Sequence, residues 1–462
     1  MNILDLFEIE TKIVDSSKIK LEESRIDPQF FSTNQAFIGN LETKPLSNFC
    51  EELFNPPVFK REFLEDPNEC RYLASAEIAS FEPEITYITN SQADALRLRV
   101  KRGWILITGF GTIGSIRISD LIIDGFAVAN NVTRAIVKEK YRGYIATFLS
   151  SNFGNKLLND YAAGAVVKYI ESPQIAKIPV PVLDESIIES INQQYLTAVT
   201  CREQAHDLLQ KAQQLLLQYN NLPPLSEIKP ETLDADGEVE IRMTGLDEFT
   251  QDFRLDAHFY NPIVKQVLDN IKIYSKDYKE LGDGIADKVF YLNRFTRTFV
   301  EEGFGIPYMA GKDTIKIRPT DVSYLSYSET SGLDDYKLKS GWILMTCSGT
   351  LARTCFVYKN YENWVATHDL IRIVSSDDFD SGYLYAFLSS NYGFQQAIKF
   401  KHGAVIDHLT PDQIEQIIVP IPSEPQQKEI GDLVRKAYEL RSEAIKLEDE
   451  AQELLTQALT QE

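Results

Sequence analysis

Three short stretches carry residue types whose spacing could do chemistry. Gly109-Phe110-Gly111-Thr112-Ile113-Gly114 follows an apolar run and has the G-x-G-x-x-G spacing that lets a backbone approach a pyrophosphate at a helix N-terminus. Ser115 to Val137, however, reads as further strands and turns, so the stretch is expected to be a turn. Asn55-Pro56-Pro57-Val58 has the outline of an Asn-Pro-Pro-aromatic segment that stacks on a flipped base, but Val58 has no ring and no Gly-rich cofactor loop precedes it. It too reads as a turn. His402 and His408 flank Asp407, a set that could bind a metal or relay a proton. Asp234-Ala235-Asp236-Gly237 is too short for a calcium loop. No Walker loop, Ser-His-Asp order or nuclease-like carboxylate cluster stands out. The chain is therefore expected to be non-catalytic, with no metal and no cofactor of its own.

The elements that would position such residues follow from composition and pattern. The 462 residues suggest roughly three domains at about 150 residues each. With 44% hydrophobic and 25% charged residues, the composition is that of an ordinary folded protein. There are 47 Lys and Arg against 68 Asp and Glu, a net charge of −21, which disfavours nonspecific adhesion to DNA or anionic membrane. Cys50, Cys70, Cys201, Cys347 and Cys355 include no Cys-x-x-Cys pair and are expected to be free thiols in a reducing compartment. Without a signal-peptide pattern or a long apolar run, the protein is expected in the cytoplasm, away from membranes.

The chain also repeats itself. Arg25-Ile26-Asp27-Pro28-Gln29-Phe30-Phe31 returns as Arg254-Leu255-Asp256-Ala257-His258-Phe259-Tyr260, an offset of 229. Phe54, Phe59, Arg61, Phe63, Tyr72 and Ala74 return at offset 236 as Phe290, Phe295, Arg297, Phe299, Tyr308 and Ala310. Gly103-Trp104-Ile105-Leu106 pairs with Gly341-Trp342-Ile343-Leu344 at offset 238, and Leu149-Ser150-Ser151-Asn152 with Leu388-Ser389-Ser390-Asn391 at 239. Gly164-Ala165-Val166 pairs with Gly403-Ala404-Val405 at 239, and Ile178-Pro179-Val180-Pro181 with Val419-Pro420-Ile421-Pro422 at 241. One duplication with short loop insertions produces such a drift.

Each copy reads as a mixed α+β globule followed by one long helix. Trp104 to Thr108 and Trp342 to Thr346 are apolar runs bounded by glycine, the pattern of buried strands, whereas Tyr144 to Leu158 and Tyr383 to Phe400 have helical spacing. The Pro-rich exits at Pro179, Pro181, Pro420, Pro422 and Pro425 are expected to stop regular pairing. Beyond them Ile430, Leu433, Ala437, Leu440, Ala444, Leu447, Ala451, Leu454 and Ala458 alternate at three and four residues. Ile188, Ile191, Tyr195, Ala198, Arg202, Ala205, Leu209, Ala212, Leu216 and Tyr219 do the same, broken chemically at Arg202. The two helices are expected to pack as an antiparallel coiled coil. The expected organisation is residues 1–184 and 223–422 as the two globules, the latter including an acidic linker, with helices over 185–222 and 423–462.

The order of these segments, carried twice, resembles the DNA-specificity subunit of type I restriction-modification systems. The resemblance spans roughly residues 10 to 222 and 238 to 462. It implies two target recognition domains, each reading half of a split double-stranded DNA site, on helices that set the gap and dock two methyltransferase subunits. Restriction subunits can join that core, and S-adenosylmethionine would sit in the partner methyltransferase. Base-edge readout needs polar side chains on exposed loops. The candidates are Lys60, Arg61, Thr112, Asn130, Asn131 and Lys168 in the first domain, and Arg294, Arg297, Thr350, Thr367, His368 and His402 in the second. Arg25 with Asp27 and Arg254 with Asp256 are expected to be structural.

Acidity sits awkwardly with DNA binding, because phosphate contacts supply much of such affinity. It is concentrated outside the globules: nine acids face two bases from Glu227 to Asp252, and ten face five from Glu424 to Glu462. An acidic DNA mimic or scaffold that binds methyltransferases without reading DNA is the alternative. A self-contained methyltransferase or nuclease would need a cofactor loop or carboxylate cluster that does not stand out.

Overall fold

The computed structural model describes residues 41–164, 167–225, 231–232, 240–241, 254, 256–319, 322–328 and 333–461. Arg25 to Phe31 and most of the acidic stretch from Glu227 to Asp252 lie outside the described residues. The chain divides into two compact units, residues 1–203 with 444–462, and residues 204–443. The division falls inside both long helices.

In the first unit, β-branched and apolar runs form an antiparallel sheet in the order Cys50–Phe54, Val132–Val137, Ile105–Thr108, Ile116–Ile118. Its central strands are buried, which is why Ile105–Thr108 is a continuous apolar run instead of an alternating one. A smaller sheet orders Thr86–Ile88, Cys70–Leu73 and Ala127–Val128, the last pairing in parallel. In the second unit the larger sheet is Ala286–Phe290, Leu370–Ser375, Ile343–Thr346, Thr354–Phe356. The smaller is Phe299–Val300, Ser323–Ser326, Gly305–Met309, Val365–Ala366. Strand order and sense agree between the two larger sheets, and each edge strand carries a register shift, at Cys50/Glu52 and Ala286/Lys288.

The sequence suggests one helix after each sheet, and the structure has two. Arg142–Ser150 and Asn152–Tyr161 are separated by Ser151, whose extended backbone ends the first and whose Oγ accepts from Gly154 N at 3.2 Å to cap the second. Ser390 does the same between Ser381–Leu388 and Asn391–Lys399, accepting from Gly393 N at 3.2 Å. The proline exits also differ from expectation. Pro179–Pro181 pairs with Thr43–Pro45, and Ile418–Pro420 with Tyr278–Glu280, each as a two-stranded ribbon in which the missing proline donors are tolerated.

The long helices span Glu185–Tyr219 and Glu424–Gln461. The first buries its expected stripe from Ile188 through Leu216, with Tyr219 half-buried. The second buries Gln427, Ile430, Val434, Ala437, Arg441, Ala444, Glu448, Ala451 and Leu455, so Ala437, Ala444 and Ala451 hold, Ala458 is half-buried, and every leucine of the expected seam yields to its C-terminal neighbour. Leu433, Leu440, Leu447 and Leu454 are half-buried at the rim. Pattern alone missed this because two seam positions are charged. In the first unit Arg202 and Glu448, both buried, lie 2.7 Å apart, and Ile188, Ile191, Tyr195 and Val199 share one core with Ala451 and Leu455. In the second unit Tyr219 Oη donates to Glu429 at 2.6 Å, and Tyr438 packs on Phe356 and Tyr385.

Close helix approach in the second unit depends on glycine. A Cβ on Gly382 would lie 2.7 Å from Gly431 Cα. Gly382→Ala should therefore cost about 1–3 kcal/mol through overpacking, read as a lower urea midpoint. An unchanged midpoint would contradict that approach. The five cysteines are free, and burial pushes the Cys50 thiol up to about 12 and Cys347 to about 11. Both should resist iodoacetamide at pH 8 until denaturant is added, because the thiolate is the reacting form. Rapid labelling of either in the native protein would contradict this burial.

Candidate nucleic-acid interface

In each unit a buried arginine on an interior strand organises one end of the larger sheet. Arg134 lies in the otherwise apolar strand Val132–Val137 and is fully buried. Its guanidinium donates to Ala129 O at 2.9 Å and Leu98 O at 3.2 Å, and to the carbonyls of Val128 and Val132. The fork folds the 128–132 backbone into a tight turn that presents Asn130 and Asn131. Arg372, in Leu370–Ser375, donates to Thr367 O at 2.9 Å, Ala366 O at 2.7 Å and Leu370 O, and shapes the 366–370 turn. Burial pulls the two guanidiniums down to about 9 and about 10, so both stay protonated at neutral pH. A lone arginine at matched positions of two apolar strands is a signal the sequence did offer.

Three further segments gather around that turn in the first unit. Gly109 N donates to Asn131 O at 3.1 Å, and Ile170 N to Gly109 O at 2.9 Å. The ring of Phe110 stacks on Tyr169, 5.4 Å between centroids. Asn55 is the hub: its Nδ2 donates to Asn130 O at 3.3 Å, while its Oδ1 accepts from Thr133 Oγ1 at 3.0 Å and Ser172 N at 2.8 Å. The Asn-Pro-Pro segment thus tethers loops. The G-x-G-x-x-G stretch is a turn with Gly111 and Gly114 at positive φ.

The second unit gathers the corresponding segments. Cys347 N donates to Asp369 O at 3.2 Å, Leu409 N to Cys347 O at 3.0 Å and Gly349 N to Asp407 O at 3.3 Å. A hairpin closes where His402 and His408 exchange backbone bonds of 3.1 and 2.6 Å, as Ala163 and Tyr169 do at 2.8 and 2.8 Å in the first unit. The His402 and His408 rings are 6.4 Å apart, and among the described residues no group of three or more His, Cys, Asp and Glu is placed to hold a metal ion.

The candidates fall unevenly on these two faces. Lys60, Arg61, Thr112 and Lys168 are exposed, with Lys60 Nζ 3.0 Å from Glu62. Asn130 and Asn131 are half-buried, and Asn131 Nδ2 donates to Ser75 Oγ at 3.2 Å. Arg294, Arg297, Thr350 and His402 are exposed, and Arg297 donates to Tyr308 Oη at 2.8 Å. Thr367 is the correction: it is buried, its hydroxyl is 3.3 Å from Asp369 and its carbonyl is bound by Arg372, so it supports the turn instead of reaching outward. His368 is half-buried, and burial holds its pKa below the usual imidazole value, Asp369 opposing and Arg297 and Arg294 assisting. Arg254 holds Asp256 at 2.6 Å, a structural pair, while Arg25 and Asp27 lie outside the described residues.

The acidity lies largely outside the two sheet-bearing segments. Residues 41–184 carry sixteen bases against seventeen acids and residues 254–422 eighteen against twenty-one, so most of the −21 lies elsewhere. Among the described residues no helix is long and apolar enough to cross a membrane.

Residues 299–452 match the family model of the Type I restriction modification DNA specificity domain. Among solved structures the chain is similar to a type I restriction-modification S subunit from M. genitalium, at 11% identity over 91% of this chain and 95% of that one, TM-score 0.33. It is similar also to an HsdS subunit from Thermoanaerobacter tengcongensis, at 14% identity over 91% and 97%, TM-score 0.29. A third similar chain comes from a structure on complex assembly and conformational transition of the type I R-M system, at 14% identity over 90% and 97%, TM-score 0.27. No curated protein matches.

Proposed function

We propose that the chain, whose residues 299–452 match the family model of the type I restriction modification DNA specificity domain, is the sequence-reading subunit of such a complex. Each globule reads one half of a split duplex target. The two long helices form an antiparallel coiled-coil spacer that sets the gap and docks two methyltransferase subunits, which restriction subunits can join. The chain performs no chemistry, and S-adenosylmethionine is held by the partner. Its setting is the cytoplasm, and its division is globule, helix, globule, helix, as the duplicated segments suggest.

One observation carries this reading: in both units a buried arginine shapes a turn that a glycine-bearing loop and a short hairpin join through backbone hydrogen bonds, with different side chains displayed. Lys168 stands where Asp407 does, Asn55 where Tyr291 does, and Asn130-Asn131 where His368-Asp369 does. A shared scaffold with divergent polar displays suits an asymmetric target. The near-neutral globules also weigh against an acidic mimic, which would need them to be strongly negative. The test is selection of duplexes from a random library by the chain purified with its methyltransferase. Enrichment of two short motifs at fixed spacing is the expected result. A stable complex that enriches no sequence would favour the scaffold.

A further inference from the structure

Resting on that reading, we propose that the hairpin 402–408 is itself a base-reading element, with Val405 and Ile406 packing on thymine methyl groups and Asp407 accepting from the exocyclic amine of cytosine. The hairpin is built, not loose. His402 and His408 close its base, and Gly403 turns at φ +135°, where a Cβ would lie 2.1 Å from Ile406 O. A five-residue tip results. It carries Val405, 95% exposed, and Ile406, 53% exposed, beyond the single bridge between His402 and His408. A tip of five residues is small beside a major groove about 12 Å across.

The chemistry of this tip is wrong for phosphate and right for base edges. Aliphatic side chains gain nothing from a phosphate, and a carboxylate is repelled by one. In the major groove the thymine C5 methyl is the apolar feature and cytosine N4 the donor that a carboxylate can accept. Cations suited to phosphate flank the tip: Lys401 Nζ is 3.9 Å from Asp407, and His402 is exposed at the hairpin base. The first unit has Val167, 62% exposed, and Lys168 at the matched positions. Lys168 offers donors to guanine O6 and N7 where Asp407 offers an acceptor, so the hairpins display opposite polarity on one frame.

The experiment uses the methyltransferase complex and its selected duplex, with each thymine replaced in turn by deoxyuridine. Loss of one methyl contact should weaken binding about 3- to 5-fold at one or two positions of a single half-site. Val405→Ala with Ile406→Ala should abolish that sensitivity, and Asp407→Lys should move one position of the same half-site from cytosine to guanine. Val405 and Ile406 are exposed and Asp407 half-buried, and circular dichroism of each variant checks that the fold is retained. Indifference to every deoxyuridine, or an unchanged motif in Asp407→Lys, would overturn the hairpin assignment while leaving sequence reading in place. Loss of methyltransferase copurification with an unchanged motif would overturn it in favour of a protein-docking tip. Failure of the parent complex to select any motif would sink the reading on which it rests.

Discussion

Glu448→Ala should destabilise the first unit by about 3–5 kcal/mol, because it leaves the Arg202 guanidinium charged, buried and facing a void. Glu448 and Arg202 are 4% and 5% exposed, so water cannot take over the lost partner. Salt should change the loss little, since screening acts weakly on a buried pair. Arg202→Met combined with Glu448→Leu should recover most of the stability, because two apolar side chains of similar volume fill the seam without leaving a charge. Denaturant midpoints of Arg202→Met, Glu448→Leu and the double variant close the cycle. A single variant within about 1 kcal/mol of the parent would mean that the pair is solvated.

The second large effect is at the buried arginines. Arg134→Met should cost about 2–4 kcal/mol, since it strips a charged donor from four carbonyls and nothing else of that shape can reach them. Arg134→Lys should fare little better, because an ammonium cannot reproduce the fork. The guanidinium titrates near 9 in the folded chain and near its ordinary value of about 12.5 when unfolded, so both states hold the proton from pH 6 to 8. The loss should therefore be flat across that range and show in thermal midpoints at each pH. A penalty that grows or vanishes between pH 6 and 8 would contradict the assignment. Because the turn presents Asn130 and Asn131, the same variant should also blur recognition in one half-site only.

Much of this architecture was legible because it rests on apolar periodicity. Ile105–Thr108 and Ile343–Thr346 are buried strands, and Ile188 to Leu216 is a buried helical stripe, as their spacing predicts. What escaped was polar and buried. A heptad reading of Glu424–Gln461 prefers leucine, so Leu447 was chosen over Glu448 although the charged residue is the one that faces Arg202. Arg134 and Arg372 are hard to read because arginine in a strand suggests an exposed position, whereas three carbonyls of one tight turn, joined by Leu98 O at Arg134, solvate each internally. Thr367 reads as outward because base readout favours threonine on exposed loops, and its burial depends on Asp369 and Arg372, which no local pattern connects. The Ser151 and Ser390 breaks were visible as Leu-Ser-Ser-Asn in both copies, yet helical spacing across them concealed the cap. Base-reading side chains are the least legible, because exposure carries no periodicity.

The central claim, that each globule reads its own half of a split target, is tested most directly by single-molecule mapping of adenine methylation. Cells would carry the chain with its methyltransferase, with one globule exchanged for that of a relative. A split motif in which one half changes while the other half and the gap are retained is the expected result. A motif that changes as a whole, or the absence of any motif despite a stable complex, would contradict it.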